Sequence, residues 1–182
     1  NEIVLVVNEY EILYCKQNIV DEFGFTKVRT MVAGGLERQD SVYNGLQEVD
    51  KSCDIVLIHD GARPFVNEKN IISSIHAAYE FDACCIAVPV KDTIKRSDKD
   101  DFVVETLDRS SLWLIQTPQA FKYELIMYAH KKALEDGFTG TDDASLVERL
   151  GHKPKLVMGG YDNIKITTRE DISVAEAILN DR

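Results

Sequence analysis

Short, β-branched apolar runs alternate with stretches of helical periodicity along this chain, and few folds accept that pattern. The runs are Ile3–Val7 (IVLVV), 27–32 (KVRTMV), 54–58 (DIVLI), 84–88 (CCIAV) and Lys155–Met158 (KLVM). Helical periodicity fills the spaces between them at 10–23, 40–49, 68–80, 123–136, 142–150 and Arg169–Asn180. The first, third and fourth runs read as continuous apolar stretches once Asp54 is passed, as strands covered on both faces do. Strands alternating with helices predict an α/β fold: a wound, mostly parallel sheet with helices on both faces. Ligands of such sheets gather beyond the carboxyl ends of the strands. At 182 residues the whole chain is expected to form a single domain.

The alternation breaks once. Between residues 91 and 116, two extended stretches flank the charged turn "RSDKDD", which predicts a β-arm standing off the sheet. Such an arm would expose Phe102, Val103, Val104, Leu112 and Trp113, and a second copy of the chain is the natural cover.

Charge narrows the partners. A net charge of -10 argues against nucleic-acid or membrane surfaces, which call for a basic face. No apolar run reaches transmembrane length, so the expectation is a soluble, cytoplasmic protein. Cys15, Cys53, Cys84 and Cys85 lack metal-ligand spacing and read as small buried hydrophobes. The four histidines pair with no nucleophile in any recognisable pattern, which disfavours acyl-type covalent catalysis.

Polar residues suited to phosphate chemistry collect at the strand ends. In "IHDGARPF" (58–65), Asp60 follows an apolar strand where it can hold Mg2+, and Arg63 can fork onto a phosphate. Gly61 and Ala62 leave room for a ligand between them. Alone, the stretch reads equally well as a turn capped by Asp60. "AGGLERQDSVYNGL" (33–46) offers backbone N–H groups at a turn into a helix, with Asp40 or Ser41 as candidate N-cap. "VPVKDTIKR" (88–96) sets Lys91, Thr93, Lys95 and Arg96 beyond another strand, as a phosphate site or a solvated arm. "TLDRSSLWLIQTPQAF" (106–121) adds Arg109 and Thr117, and "TGTDDASLVE" (139–148) reads as a helix capped by Thr141 or Asp142. "GGYDNIKITTRED" (159–171) offers Asp162 as a second metal ligand and Lys165 as a charge-neutralising group, or the two as a surface salt pair. Acids and cations without a nucleophile fit phosphoryl or nucleotidyl transfer, which rests on positioning and charge neutralisation.

Taken together, "GGxxRxxSVxxGL", "HDGARP", "PVKDTIK", "DRxxLWxxQTPQxF", "TDDAS" and "DNIKITTxED" resemble the 2-C-methyl-D-erythritol 4-phosphate cytidylyltransferases of the non-mevalonate isoprenoid pathway, in family order along the chain. The resemblance implies a Rossmann-like nucleotidyltransferase sheet, CTP and Mg2+ as ligands, pyrophosphate release and a homodimer completed by the arm. It assigns Gly34, Gly35 and Ser41 to the cytosine and ribose pocket, with Arg38 supporting that loop. It gives Asp60 to the metal, beside Ala62 and with Asp162 as a possible sharer, and Lys165 to the α-phosphate. Arg63, Thr93, Arg109, Thr117 and Thr141 become the phosphosugar set, some acting across the dimer, while His59 is read as structural.

This family opens with a strand and a glycine-rich loop whose Arg and Lys grip the CTP phosphates, and nothing in the chain matches it. The expectation is that this segment precedes Asn1; its true loss would cripple CTP binding. A following pathway domain is not expected. Two rivals stay open: a ribitol 5-phosphate cytidylyltransferase, and a non-catalytic nucleotide-binding or assembly subunit. The run "TIKR" and the "LWxxQTPQ" stretch favour the isoprenoid enzyme over the former.

Overall fold

The computed structural model describes residues 2–181, which divide into two compact units. One comprises the chain up to Val56 with Lys122–His152; the other comprises Leu57–Phe121 with the chain from Lys153 onward.

In the first unit, β1 (Ile3–Val7) pairs in parallel with β2 (Val28–Ala33). The stretch between them is less regular than its periodicity predicts. A 3-10 turn at Glu9–Glu11 leads into α1 (Ile12–Cys15), which widens into a π-helical stretch at Lys16–Asp21. Helix α2 (Arg38–Gln47) lies close against β1: a Cβ on Gly45 would come within 2.8 Å of the Val6 side chain. Helix α4 (Tyr123–Glu135) buries Ile126, Ala129 and Ala133. Its first residue fixes it to α2, the Tyr123 hydroxyl donating to Leu46 O at 3.1 Å. Helix α5 (Asp143–Arg149) follows, capped by Asp142, whose Oδ1 accepts the Ser145 N–H at 2.9 Å.

The second unit is built around β4 (Ala83–Pro89), whose Cys84, Ile86 and Ala87 are wholly buried. It belongs to a sheet of order β3-β7-β4-β8, where β3 is Ile55–Ile58, β7 is Trp113–Lys122 and β8 is Lys155–Met158. Strand β8 runs parallel to β4, whereas β7 runs antiparallel to it. The sheet is therefore mixed at its centre. β7 is reached through a hairpin instead of a crossover helix, and only parallel neighbours demand a crossover. Helix α3 (Glu68–Phe81) is capped by Asn67 and ends at Asp82, whose φ of 68° turns the chain back into β4. Helix α6 (Arg169–Asn180) begins after Thr168, and the Asp171 carboxylate accepts the Thr168 N–H at 2.8 Å.

The expected hairpin is present but shorter than 91–116: β5 (Lys95–Ser97) pairs antiparallel with β6 (Val103–Thr106). Trp113 onward belongs to β7 instead. Asp98 closes the turn by accepting the N–H groups of Asp100 and Phe102, both at 3.0 Å. Phe102, Val103 and Val104 are exposed, while Trp113 is partly covered. Among the described residues no helix is long and apolar enough to cross a membrane.

Burial also sets cysteine chemistry. Desolvation pushes the Cys84 thiol up to about 11, so it carries almost no thiolate at neutral pH. In the native protein at pH 8, Cys84 is expected to resist iodoacetamide until denaturant is added. Peptide mass mapping would expose an error here if the native thiol alkylated at the unfolded rate.

Candidate active site

The second unit concentrates the polar residues that follow β3. Asp60 and Lys165 meet at 2.8 Å, with the carboxylate mostly buried (15% exposed) and the ammonium more open (42% exposed). The Asp60 backbone N–H donates to Thr117 Oγ1 at 3.1 Å. That hydroxyl also lies 2.9 Å from His59 Nδ1, and His59 Nε2 lies 3.0 Å from Arg63 O. Thr117 itself is buried. Its hydroxyl is thus spent on holding Asp60 in place, and His59 links β7 to the backbone beneath Arg63. Desolvation lowers the His59 pKa, partly opposed by its hydrogen bond to Arg63 O.

Arg63 turns back toward the last loop. Its Nη1 donates to Asn163 O at 2.7 Å, and its buried Nε has no hydrogen-bond partner among the described residues. A guanidinium with an unmet buried donor is suited to an anion. Desolvation lowers its pKa, countered in part by Asp60, and it stays a cation at any physiological pH.

Asn163, which the sequence did not single out, organises the loop carrying Asp162 and Lys165. It is fully buried, and its Nδ2 donates to Thr117 O at 2.9 Å. Gln116 Nε2 donates to Gly160 O at 2.8 Å, and Ile166 N–H donates to Ala62 O at 2.8 Å. A Cβ on Gly159 would fall 2.5 Å from Gln116 Oε1, so the loop approaches β7 too closely for a side chain there. Asn163→Asp is expected to destabilise by about 1–3 kcal/mol, because it sets an acceptor against Thr117 O. Urea denaturation would read this, and a midpoint equal to wild type would remove Asn163 from the role.

The other phosphosugar candidates in this unit stand apart. Thr93 and Arg109 are exposed on either side of the hairpin, and Arg109 Nη1 donates to Lys91 O. Among the described residues neither is hydrogen-bonded to Arg63 or Thr117. Lys91 lies over the Tyr161 ring at 3.4 Å, and Tyr161 donates to Pro89 O at 2.7 Å.

In the first unit, the 34–41 turn is held shut by Ser41. Its Oγ accepts the Gly35 N–H at 3.0 Å and donates to Glu37 O at 3.1 Å. A Cβ on Gly34 would sit 2.8 Å from Ser41 Oγ, and one on Gly35 would strike Asp40 Cβ, so both glycines are required by close approach. The helix begins one turn earlier than expected. Glu37 is the N-cap, and Asp40, a candidate N-cap, instead accepts the Glu37 N–H at 3.1 Å from inside the first turn. Thr141 is exposed in this unit, just before α5.

Whether Asp60 suits a metal can be judged from its neighbours. Among the described residues no three His, Cys, Asp or Glu side chains gather to make a cage. A cation at Asp60 would take most of its oxygens from substrate phosphates and water, a donor set that suits Mg2+.

A partly buried acid–lysine pair and a half-buried arginine with an unpaired Nε suit nucleotidyl transfer, and the family comparison agrees. The family model of 2-C-methyl-D-erythritol 4-phosphate cytidylyltransferase matches residues 1–181. The chain belongs to this family. The cytidylyltransferase of Caldanaerobacter subterraneus subsp. tengcongensis is 56% identical over 178 residues, covering 98% of this chain and 78% of the relative. That of Alkaliphilus oremlandii is 52% identical over 182 residues, covering 100% of this chain and 77% of the relative. Among solved structures, the 4-diphosphocytidyl-2C-methyl-D-erythritol synthase of Anaerococcus prevotii superposes with a TM-score of 0.89 at 38% identity, covering 98% of this chain and 78% of that one. Cytidylyltransferases of this family are nucleotidyltransferases, and the α/β fold described above is theirs.

Proposed function

We propose that this chain transfers the cytidylyl group of CTP to 2-C-methyl-D-erythritol 4-phosphate. The 4-phosphate oxygen bonds to the α-phosphorus, and the bond from that phosphorus to the β-phosphate bridging oxygen breaks, releasing pyrophosphate. The observation that carries this reading is the Asp60–Lys165 pair at the carboxyl end of β3. Lys165 neutralises charge on the α-phosphate as it becomes five-coordinate. Asp60 would hold Mg2+, with Asp162 contributing from the same loop as Lys165, and the ion would supply further charge neutralisation when bound. Arg63 binds the acceptor phosphate, and Thr117 with His59 keeps Asp60 and Arg63 in register. Gly34, Gly35 and Ser41 bind the cytosine and ribose, and Ala62, close to Asp60 in the chain, also serves the nucleotide.

Thr93 and Arg109 complete the acceptor site of a second copy through the hairpin, and Thr141 is a further candidate for binding the acceptor phosphate. The exposure of Phe102 (72%), Val103 (63%) and Val104 (58%) supports a homodimer, since a lone hairpin gains nothing by leaving them in water. All four cysteines are free, Cys84 and Cys85 buried and Cys15 and Cys53 only partly covered, unlike the expectation of four buried thiols. Free thiols support a cytoplasmic location.

Pyrophosphate release from CTP, measured with the full-length gene product and Mg2+, tests this directly. Turnover with methylerythritol phosphate and little with ribitol 5-phosphate is expected. Preference for ribitol 5-phosphate would change the acceptor, and no turnover with either would sink the enzyme reading.

A further inference from the structure

The "TDDAS" motif places in the core of the first unit a charge that the proposed chemistry does not use. Asp143 is only 1% exposed. Its Oδ2 accepts from Arg38 Nη1 at 2.8 Å, while its Oδ1 lies 3.3 Å from Nε2 of the buried His130. The His130 contact is too poorly aligned to be a hydrogen bond, and the ring stacks on Tyr43 of α2 at 5.9 Å between centroids. Burying a carboxylate is costly, and an ion pair of this kind stabilises a fold no better than a well-packed apolar group would. Such a pair is more readily explained by what it holds in place.

It holds the first residue of α2. Arg38 opens that helix from within the 34–41 turn, in which Gly35 donates to Ser41 and Asp40 accepts from Glu37. A second tie runs beside it, Gln39 Nε2 donating to Phe138 O at 3.0 Å and Gln39 Oε1 accepting the Gly140 N–H at 2.9 Å. The start of α2 is therefore fastened at consecutive residues to the 138–143 segment.

We propose that Asp143 is a positioning residue for nucleotide binding: through Arg38 it fixes the 34–41 turn in the shape that receives the nucleoside. This rests on the reading of Gly34, Gly35 and Ser41 as the nucleoside pocket. Asp143 touches no substrate and acts only by holding Arg38.

The test uses the full-length enzyme with Asp143→Asn, Arg38→Met, the double variant and Gly35→Ala. Steady-state kinetics are read for CTP and acceptor separately, alongside amide exchange across 34–41. Each single variant is expected to raise the KM for CTP about ten- to a hundredfold, the range for losing one charge-assisted hydrogen bond. The acceptor KM stays within about twofold, exchange across the turn accelerates, and the double variant is no worse than the worse single. Additive losses, equal shifts in both KM values, or lowered melting temperature with unchanged CTP KM would overturn the proposal. If Asp143→Asn fails to fold, Arg38→Met decides alone, since its side chain is 36% exposed; an unchanged CTP KM there overturns it equally. Gly35→Ala separates the two readings. If it too leaves CTP binding intact, the pocket assignment has failed; if it alone impairs CTP binding, only the role of Asp143 has.

Discussion

Asp60→Asn is expected to lower kcat by about a thousandfold and to flatten the response of the remaining activity to Mg2+. The carboxylate is the mostly buried partner of Lys165, and the Asp60 backbone is held by its N–H donating to the Thr117 hydroxyl. Asparagine keeps the size and the backbone bond but removes the charge on which both a divalent cation and the lysine depend. Because Lys165 is substantially exposed, losing the pair costs little stability, and the melting temperature should move by no more than about a few degrees. Stopped assays across a Mg2+ titration, with circular dichroism as the folding control, decide the matter. Near-normal turnover with an unchanged Mg2+ midpoint would remove Asp60 from the metal.

Lys165→Met separates the second charge from the first. Methionine retains much of the length and apolar stem while deleting the ammonium. The expected loss in kcat is about a hundred- to a thousandfold, comparable to removing one preorganised donor from a transition state. The Mg2+ midpoint is expected to survive, because the carboxylate remains. The acceptor KM should change little, since Arg63 is anchored independently through Asn163 O. A variant that lost acceptor affinity as severely as kcat would show that Lys165 binds the sugar phosphate instead of the α-phosphate.

Much of this architecture was legible in the sequence. Strands β1 and β8 begin and end where their runs do; in β1 an uninterrupted apolar stretch, IVLVV, has few other uses. Asp60, Arg63 and Lys165 stood out because charges at strand ends are conspicuous against apolar neighbours. Strand β7 was harder to read. Gln116, which the sequence places at the end of the arm, is only 6% exposed, and Gln119 just beyond it 1%. Buried amides read as polar surface until their partners are known, and the Gln116 partner, Gly160 O, lies 44 residues away. The same holds for Asn163 and Asp143: each is polar, buried and committed to a distant group that local spacing does not reveal. Local patterns report periodicity and caps, whereas which buried polar groups pair is decided by the tertiary fold.

The wide sequence spacing of these ties also sets an order of assembly. Arg63 meets Asn163 across 100 residues, Asp60 meets Thr117 across 57, and Arg38 meets Asp143 across 105. Closing such long loops costs entropy that is recovered only once the strands between them are already paired. During refolding, helical signal therefore returns first and catalytic competence last, which makes turnover a more stringent gauge of native structure in this chain than any spectroscopic measure of its helices.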